Sequence, residues 1–372
     1  MDIPRRQQSL FALIVVLVAW PVAFARGEGP GWNPQAAASY LDERARAWFA
    51  FDGRGTGATR STCISCHTLL PYALARPVLR GLSGTSPPAE PEAKLLAEIG
   101  MRVGHWTDLD SKAFGLYYDG SDQKKRESRG TEAVFNAVVL AFDGRHQGRT
   151  SPSEATKRAF ANLWATQVRT GEQKGTWDWL DFGEPPWGIV PARYFGAALA
   201  AIAVGTAPGY YTAGTDRDAD AGLELLRDYL RSELDRQDLH NQAWGLWAAA
   251  NVSGILTTDQ RGEVIERLLA RQRDDGGWSL PSLGAWARSD GTPQSTASDG
   301  YATGLLLHVA QTAGVDKSHA RVARGLAWLK THQSPSGAWP CASVFKKRDP
   351  SSHTGKFMSD AATAFAVLAL GH

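Results

Sequence analysis

The chain has 372 residues and a formal net charge of +2, from 40 Lys and Arg against 38 Asp and Glu. That length can bury a large core or form two domains. Near-balanced charge with no basic run or stripe excludes nucleic acid as a partner and gives no polybasic signal for an anionic membrane surface.

Residues 1–25 read as a secretory signal peptide. Arg5 and Arg6 supply a charged start, Leu10 to Pro21 an apolar core, and Ala23-Phe24-Ala25 a cleavage site. The apolar run is shorter than the roughly 20 residues of a membrane-spanning helix. No transmembrane segment is therefore expected after cleavage. The mature chain is expected to begin at Arg26 and to reside in the periplasm or otherwise outside a bacterial cytoplasm. Three cysteines are too few for a disulfide framework.

The remainder alternates between two kinds of helical run. Amphipathic runs, with apolar positions three and four apart, are predicted at 36–51, 90–106, 152–168, 217–234, 258–272 and 318–332. Runs that are apolar nearly all round are predicted at 67–80, 130–143, 193–205, 241–252, 299–312 and 360–371. The first kind buries one face and belongs outside. The second is enclosed on all sides and belongs inside. No segment carries a sustained period-two strand pattern. The expectation is an all-α fold, a single α/α toroid of about six helical hairpins, because closure removes exposed ends. Residues 26–125 hold the first motif and 126–372 the clearer repeats, with 26–372 as one continuous toroid the other division.

Between the first outer and first inner run lies Cys63-Ile64-Ser65-Cys66-His67. This C-x-x-C-H pentapeptide is the attachment sequence of a c-type haem. Cys63 and Cys66 would bind one haem covalently, and His67 would be the proximal iron ligand. Zinc or a disulfide are the other uses of these residues. Candidate sixth ligands are Met101 and His105, on one face of the second outer run, and Met358, just before the last inner run. His67 opens the first inner run, so the motif is expected at the mouth of the toroid where inner helices start.

Further along, Arg129 and Glu132 are expected to pair at the second inner-helix start. Trp177-Asp178-Trp179 and Trp187, beside Pro185-Pro186, form an aromatic loop that either lines an apolar pocket or packs between helices. His240 and Asn241 open an inner helix as capping or cavity residues. Asp299 and Asp360 are expected as N-caps of inner helices and as polar residues of the cavity rim. Cys341 is left as a thiol without a role.

Gln272-Arg273-Asp274-Asp275-Gly276-Gly277-Trp278 and Gln333-Ser334-Pro335-Ser336-Gly337-Ala338-Trp339 share the pattern Q-x-x-x-G-x-W at an offset of 61 residues. Ser298-Asp299 and Ser359-Asp360 follow at the same offset, so the unit is an internal repeat. Gln173 to Trp177 is a weaker copy that keeps only G-x-W. These units resemble the repeats of squalene–hopene cyclases, and the hairpin layout is similar to the α/α toroid of terpenoid cyclases and protein prenyltransferase β subunits. The resemblance is strongest from about 240 to 372. Cys63 to Arg80 and Arg193 to Tyr211 resemble exported bacterial proteins that join a cytochrome c-type motif to such repeats.

The resemblance does not imply squalene cyclisation. Asp216-Arg217-Asp218-Ala219-Asp220 is the nearest match to the cyclase D-x-D-D motif, but it departs at the fourth position and reads as helix-start acids. A prenyltransferase-like zinc set of Asp299, Cys341 and His353 does not match that family's spacing. The function expected is an exported c-type haem protein, carrying electrons or acting as a redox component for a partner protein. The other expectation is a haem-free toroid that binds or transforms an isoprenoid or lipid and carries a Cys/His metal site.

Overall fold

Two helix types alternate along the folded chain, and each sits where its surface chemistry sends it. The structure is a computed structural model, and it describes residues 31–53, 57–84 and 87–372. The expected signal peptide and its cleavage site lie outside the described residues. Among the described residues the outer helices are α1 (Pro34–Phe51), α3 (Glu90–Gly104), α5 (Glu154–Thr166), α7 (Arg217–Glu233), α9 (Thr258–Leu269) and α11 (Ala320–Thr331). The inner helices are α2 (Leu69–Ser83), α4 (Asp122–His146), α6 (Ala192–Thr206), α8 (Leu239–Asn251), α10 (Gly300–Thr312) and α12 (Phe357–Leu370).

Outer helices bury one stripe. In α9 only Val264, Leu268 and Leu269 are buried, and the capping box of Thr257 and Gln260 satisfies its first amides. Inner helices are enclosed. Every residue of α12 from Asp360 to Ala369 is buried, and α6 is buried from Tyr194 to Val204. Small Ala and Gly side chains let such helices approach closely: a Cβ on Gly304 would lie 2.5 Å from the backbone nitrogen of Ala366. The inner helices pack in chain order, and α12 returns to pack on α2. The described residues form an all-α, six-hairpin α/α toroid, as the sequence pattern predicts. Among the described residues no helix is long and apolar enough to cross a membrane.

The repeat motif is the clamp between neighbouring hairpins. Trp278 and Trp339 are fully buried, and their indole N–H groups donate to the carbonyls of Leu268 and Leu329 at 2.9 and 2.8 Å. Each motif glutamine then reaches the next outer helix. Gln272 donates to Arg321 O at 2.7 Å, and Gln333 donates to Asn33 O at 3.0 Å. Asn33 is the N-cap of α1, so the last repeat clasps the start of the first helix and closes the ring. The weak copy works the same way, but with a glutamine further upstream. Gln167, not Gln173, donates to Gly222 O at 2.9 Å, while Trp177 donates to Leu163 O. The intervening turn lengthens the motif and hides it from a fixed-spacing reading.

Two helix starts differ from expectation. Helix α4 begins at Asp122 rather than 130, because Ser121 caps it and its first turns are polar and exposed. Helix α12 begins at Phe357, which places Asp360 inside its first turn and not at the N-cap.

Gly337 is the tightest point of the closure. Its φ is +89°, and a Cβ there would lie 2.2 Å from the carbonyl oxygen of Ala36. Gly314 has φ +94° but open space around it. Gly314→Ala is expected to cost about 1–2 kcal/mol from backbone strain alone. Gly337→Ala should cost about 1–3 kcal/mol more by overpacking the α1 start. Urea unfolding midpoints of the two variants check this difference.

Candidate functional site

Inner-helix starts and the loops before them meet at one mouth of the ring and enclose a cavity of about 260 Å³. Its floor is the pentapeptide: Cys63, Ile64, Ser65, Cys66 and His67 all line it. Trp48 at the end of α1, Tyr117 and Tyr118 before α4, Phe135 within α4, and Phe182 and Trp187 before α6 supply aromatic walls. Phe345, Arg348, Phe357 and Met358 close it from the segment leading into α12. The expected position of the motif at the mouth is therefore where the structure puts it.

His67 is held on several sides. Its ring stacks on Phe357 at 3.8 Å between centroids, and Trp48 meets it edge-on at 4.9 Å. Its Nδ1 lies 2.8 Å from Thr68 Oγ1. Thr68 donates to Asp360 Oδ2 at 2.8 Å, and Asp360 Oδ1 accepts from Arg44 Nε at 2.8 Å and from Tyr40 Oη at 2.9 Å. Burial, then the charges of Arg44, His353 and Arg348, push the His67 pKa down to about 3, so the imidazole is neutral at ordinary pH. Burial likewise pushes the Cys66 thiol up to about 12. Arg348 lines the cavity, is half-buried, and has no ion-pair partner among the described residues. Among the described residues Glu184 is the one carboxylate of the lining, and it is exposed.

The other predicted residues fall elsewhere. Met101 packs beside Leu109, Phe114 and Leu116, and His105 stacks on Phe114 at 4.6 Å; neither lines the cavity. Of the proposed sixth ligands, only Met358 shares the cavity with His67. His240 is fully buried in α8, with Nε2 2.8 Å from Tyr301 Oη, while Asp238 caps the helix. Asp299 is the N-cap of α10 as expected, accepting from Ala302 N at 2.8 Å. Burial raises its pKa to about 6, and the nearby Cys341 thiol donates to Ala342 O at 3.6 Å. Neither Asp299 nor Cys341 lines the cavity. His353 lies against Arg44 and Phe51 instead. Trp187 lines the cavity, whereas Trp177 is a buried clamp.

The expected Arg129–Glu132 pair does not form. Arg129 pairs with Asp110 at 2.9 Å. Glu132 has no exposed surface and takes a two-pronged pair from Arg102, at 2.6 and 2.8 Å. Arg102 also bonds Ser61 Oγ and Gly115 O, and its guanidinium lies 4.3 Å from the Tyr117 ring. It thus ties α3, α4 and two cavity loops together. Sequence reading missed it because a charged residue on an amphipathic helix looks like a solvated face. The nearest signal was its apolar neighbourhood, Ile99 and Val103.

No family model matches the chain, and no curated protein matches it. Solved structures do. An unsaturated glucuronyl hydrolase from Bacillus sp. GL1, responsible for degradation of glycosaminoglycan, aligns over 91% of this chain and 96% of its own, at 13% identity and TM-score 0.50. A structure described as a glycosidase aligns over 89% and 96%, at 13% identity and TM-score 0.48. A type II terpene cyclase from Scytonema aligns over 91% and 99%, at 13% identity and TM-score 0.39. These likenesses are to the fold.

The likeness to the glucuronyl hydrolase corrects the expected function. The sequence predicts an exported haem protein for electron transfer, or a haem-free toroid that binds or transforms an isoprenoid or lipid and carries a Cys/His metal site. The fold is shared instead with a carbohydrate-degrading enzyme. Among the described residues no group of three or more His, Cys, Asp or Glu side chains is placed to hold a metal ion.

Two outcomes are expected. His67 resonances, assigned through His67→Gln, should titrate with a midpoint near 3 in the free protein; nuclear magnetic resonance reads this directly. Arg102→Met should cost about 3–5 kcal/mol in chemical denaturation, because it strands the buried Glu132 carboxylate.

Proposed function

We propose that the protein is a toroid enzyme that takes an acidic saccharide unit, of the uronate type, in the mouth cavity and uses His67 to move a proton. One observation carries this reading: an aromatic-walled cavity holds a cation, Arg348, without an ion-pair partner among the described residues, beside a neutral imidazole, His67. Aromatic faces stack on the apolar faces of a sugar ring and exclude water. An unpaired guanidinium is the group that recognises a carboxylate in two-pronged fashion. The inner helices that start here add the positive ends of their dipoles. A saccharide is also the ligand class named for the glucuronyl hydrolase that shares the fold.

Among the described residues the cavity does not hold the two facing carboxylates of ordinary glycoside hydrolysis, since of those residues Glu184 is the one carboxylate that lines it. Proton transfer therefore falls to His67. A base with a pKa near 3 is weak. Arg348 is one cause of that depression. A ligand carboxylate seated on Arg348 offsets that charge, the smallest cause after burial, Arg44 and His353, and moves the imidazole upward by that part alone. Cys63 and Cys66 enter this reading as cavity floor.

The test is a tryptophan fluorescence titration, since Trp48 and Trp187 line the cavity. Glucuronate should bind and glucose should not. Arg348→Gln should weaken glucuronate binding by about tenfold or more, the scale of a hydrogen bond to a charged group. Equal response to both sugars, or no effect of Arg348→Gln, contradicts the reading.

A further inference from the structure

The cavity floor carries a directed hydrogen-bond chain that the proposed function does not by itself require. Three donors converge on Asp360, which has no exposed surface: Arg44 Nε and Tyr40 Oη on Oδ1, and Thr68 Oγ1 on Oδ2. A carboxylate so surrounded is ionised and can only accept. The Thr68 hydroxyl has one proton, and it goes to Asp360. Its oxygen can then meet His67 Nδ1, 2.8 Å away, only as an acceptor. The His67 ring nitrogen on that side must therefore carry the proton.

We infer that Asp360 is a positioning residue which, through Thr68, fixes His67 as the Nδ1–H tautomer and leaves Nε2 as the unprotonated nitrogen for the cavity. Histidine in water favours the opposite tautomer, so the chain selects a form that the free side chain does not prefer. The arrangement also spans the ring closure. Arg44 and Tyr40 lie on α1, Thr68 precedes α2, and Asp360 lies on α12. The role of His67 as the working group rests on the proposed function, but its tautomer does not, and the test needs no ligand.

The experiment is a long-range nitrogen–proton correlation spectrum of the full chain labelled with ¹⁵N-histidine. In the native protein His67 should show Nδ1–H as the major form, a shift of roughly fivefold or more from the preference of the free side chain, the ratio set by one hydrogen bond of ordinary net strength. Thr68→Val keeps the shape and removes the hydroxyl, and it should shift His67 toward Nε2–H. Thr68→Ser should restore the native pattern. The His240 signals serve as a folding reference in each variant. Nε2–H as the major form in the native protein overturns the inference, as does a Thr68→Val spectrum unchanged at His67. A correct tautomer with no glucuronate binding would sink the proposed function alone.

Discussion

Asp360 sits where the last helix of the ring meets the first hairpin, and its carboxylate is paired with Arg44 without reach of solvent. Desolvation of such a pair costs several kcal/mol per ion, and only close geometry with further hydrogen bonds offsets it. Here Tyr40 and Thr68 supply those bonds. The pair is thus a condition of closure: α1, α2 and α12 must be seated together or a charge is stranded. The same carboxylate anchors Thr68, and Thr68 contacts His67. Ring closure and the geometry of the cavity floor are one structural event, which explains why a polar cluster is placed in an otherwise apolar seam.

The outer clamps do the complementary work on the rim. Each buried tryptophan is tied to the end of its own outer helix, and each motif glutamine is tied to the next. Nearest-neighbour clamps of this kind fix rotation between hairpins, as in other repeat architectures. Closing on Asn33 removes the terminal repeats that an open array must cap.

Much of the fold was legible because it rests on periodic signals. The 61-residue offset set the hairpin length, and the contrast between one-faced and enclosed helices assigned the rings. What lacked a periodic signal was not legible. The first turns of α4 are polar and read as loop. Gln167 was hidden by an extended turn. Asp360 shares the offset of Asp299, yet α12 begins three residues before it, so one aspartate caps a helix and the other becomes a buried ion-pair member. The site was legible only in part. His67 and Met358 were placed at the mouth from helix register alone. Arg348, Phe357 and Tyr117 come from irregular segments, where sequence spacing says nothing about which cavity a side chain enters. The pentapeptide drew the reading toward electron transfer because a short motif names a chemistry without its surroundings.

The most direct measurement is a spectrum of the protein labelled at its methionine methyl groups, recorded with and without glucuronate. Met358 lines the cavity and Met101 does not. The account predicts that the Met358 resonance moves with glucuronate while Met101 stays in place. A still Met358, or a shift at Met101 alone, would contradict it.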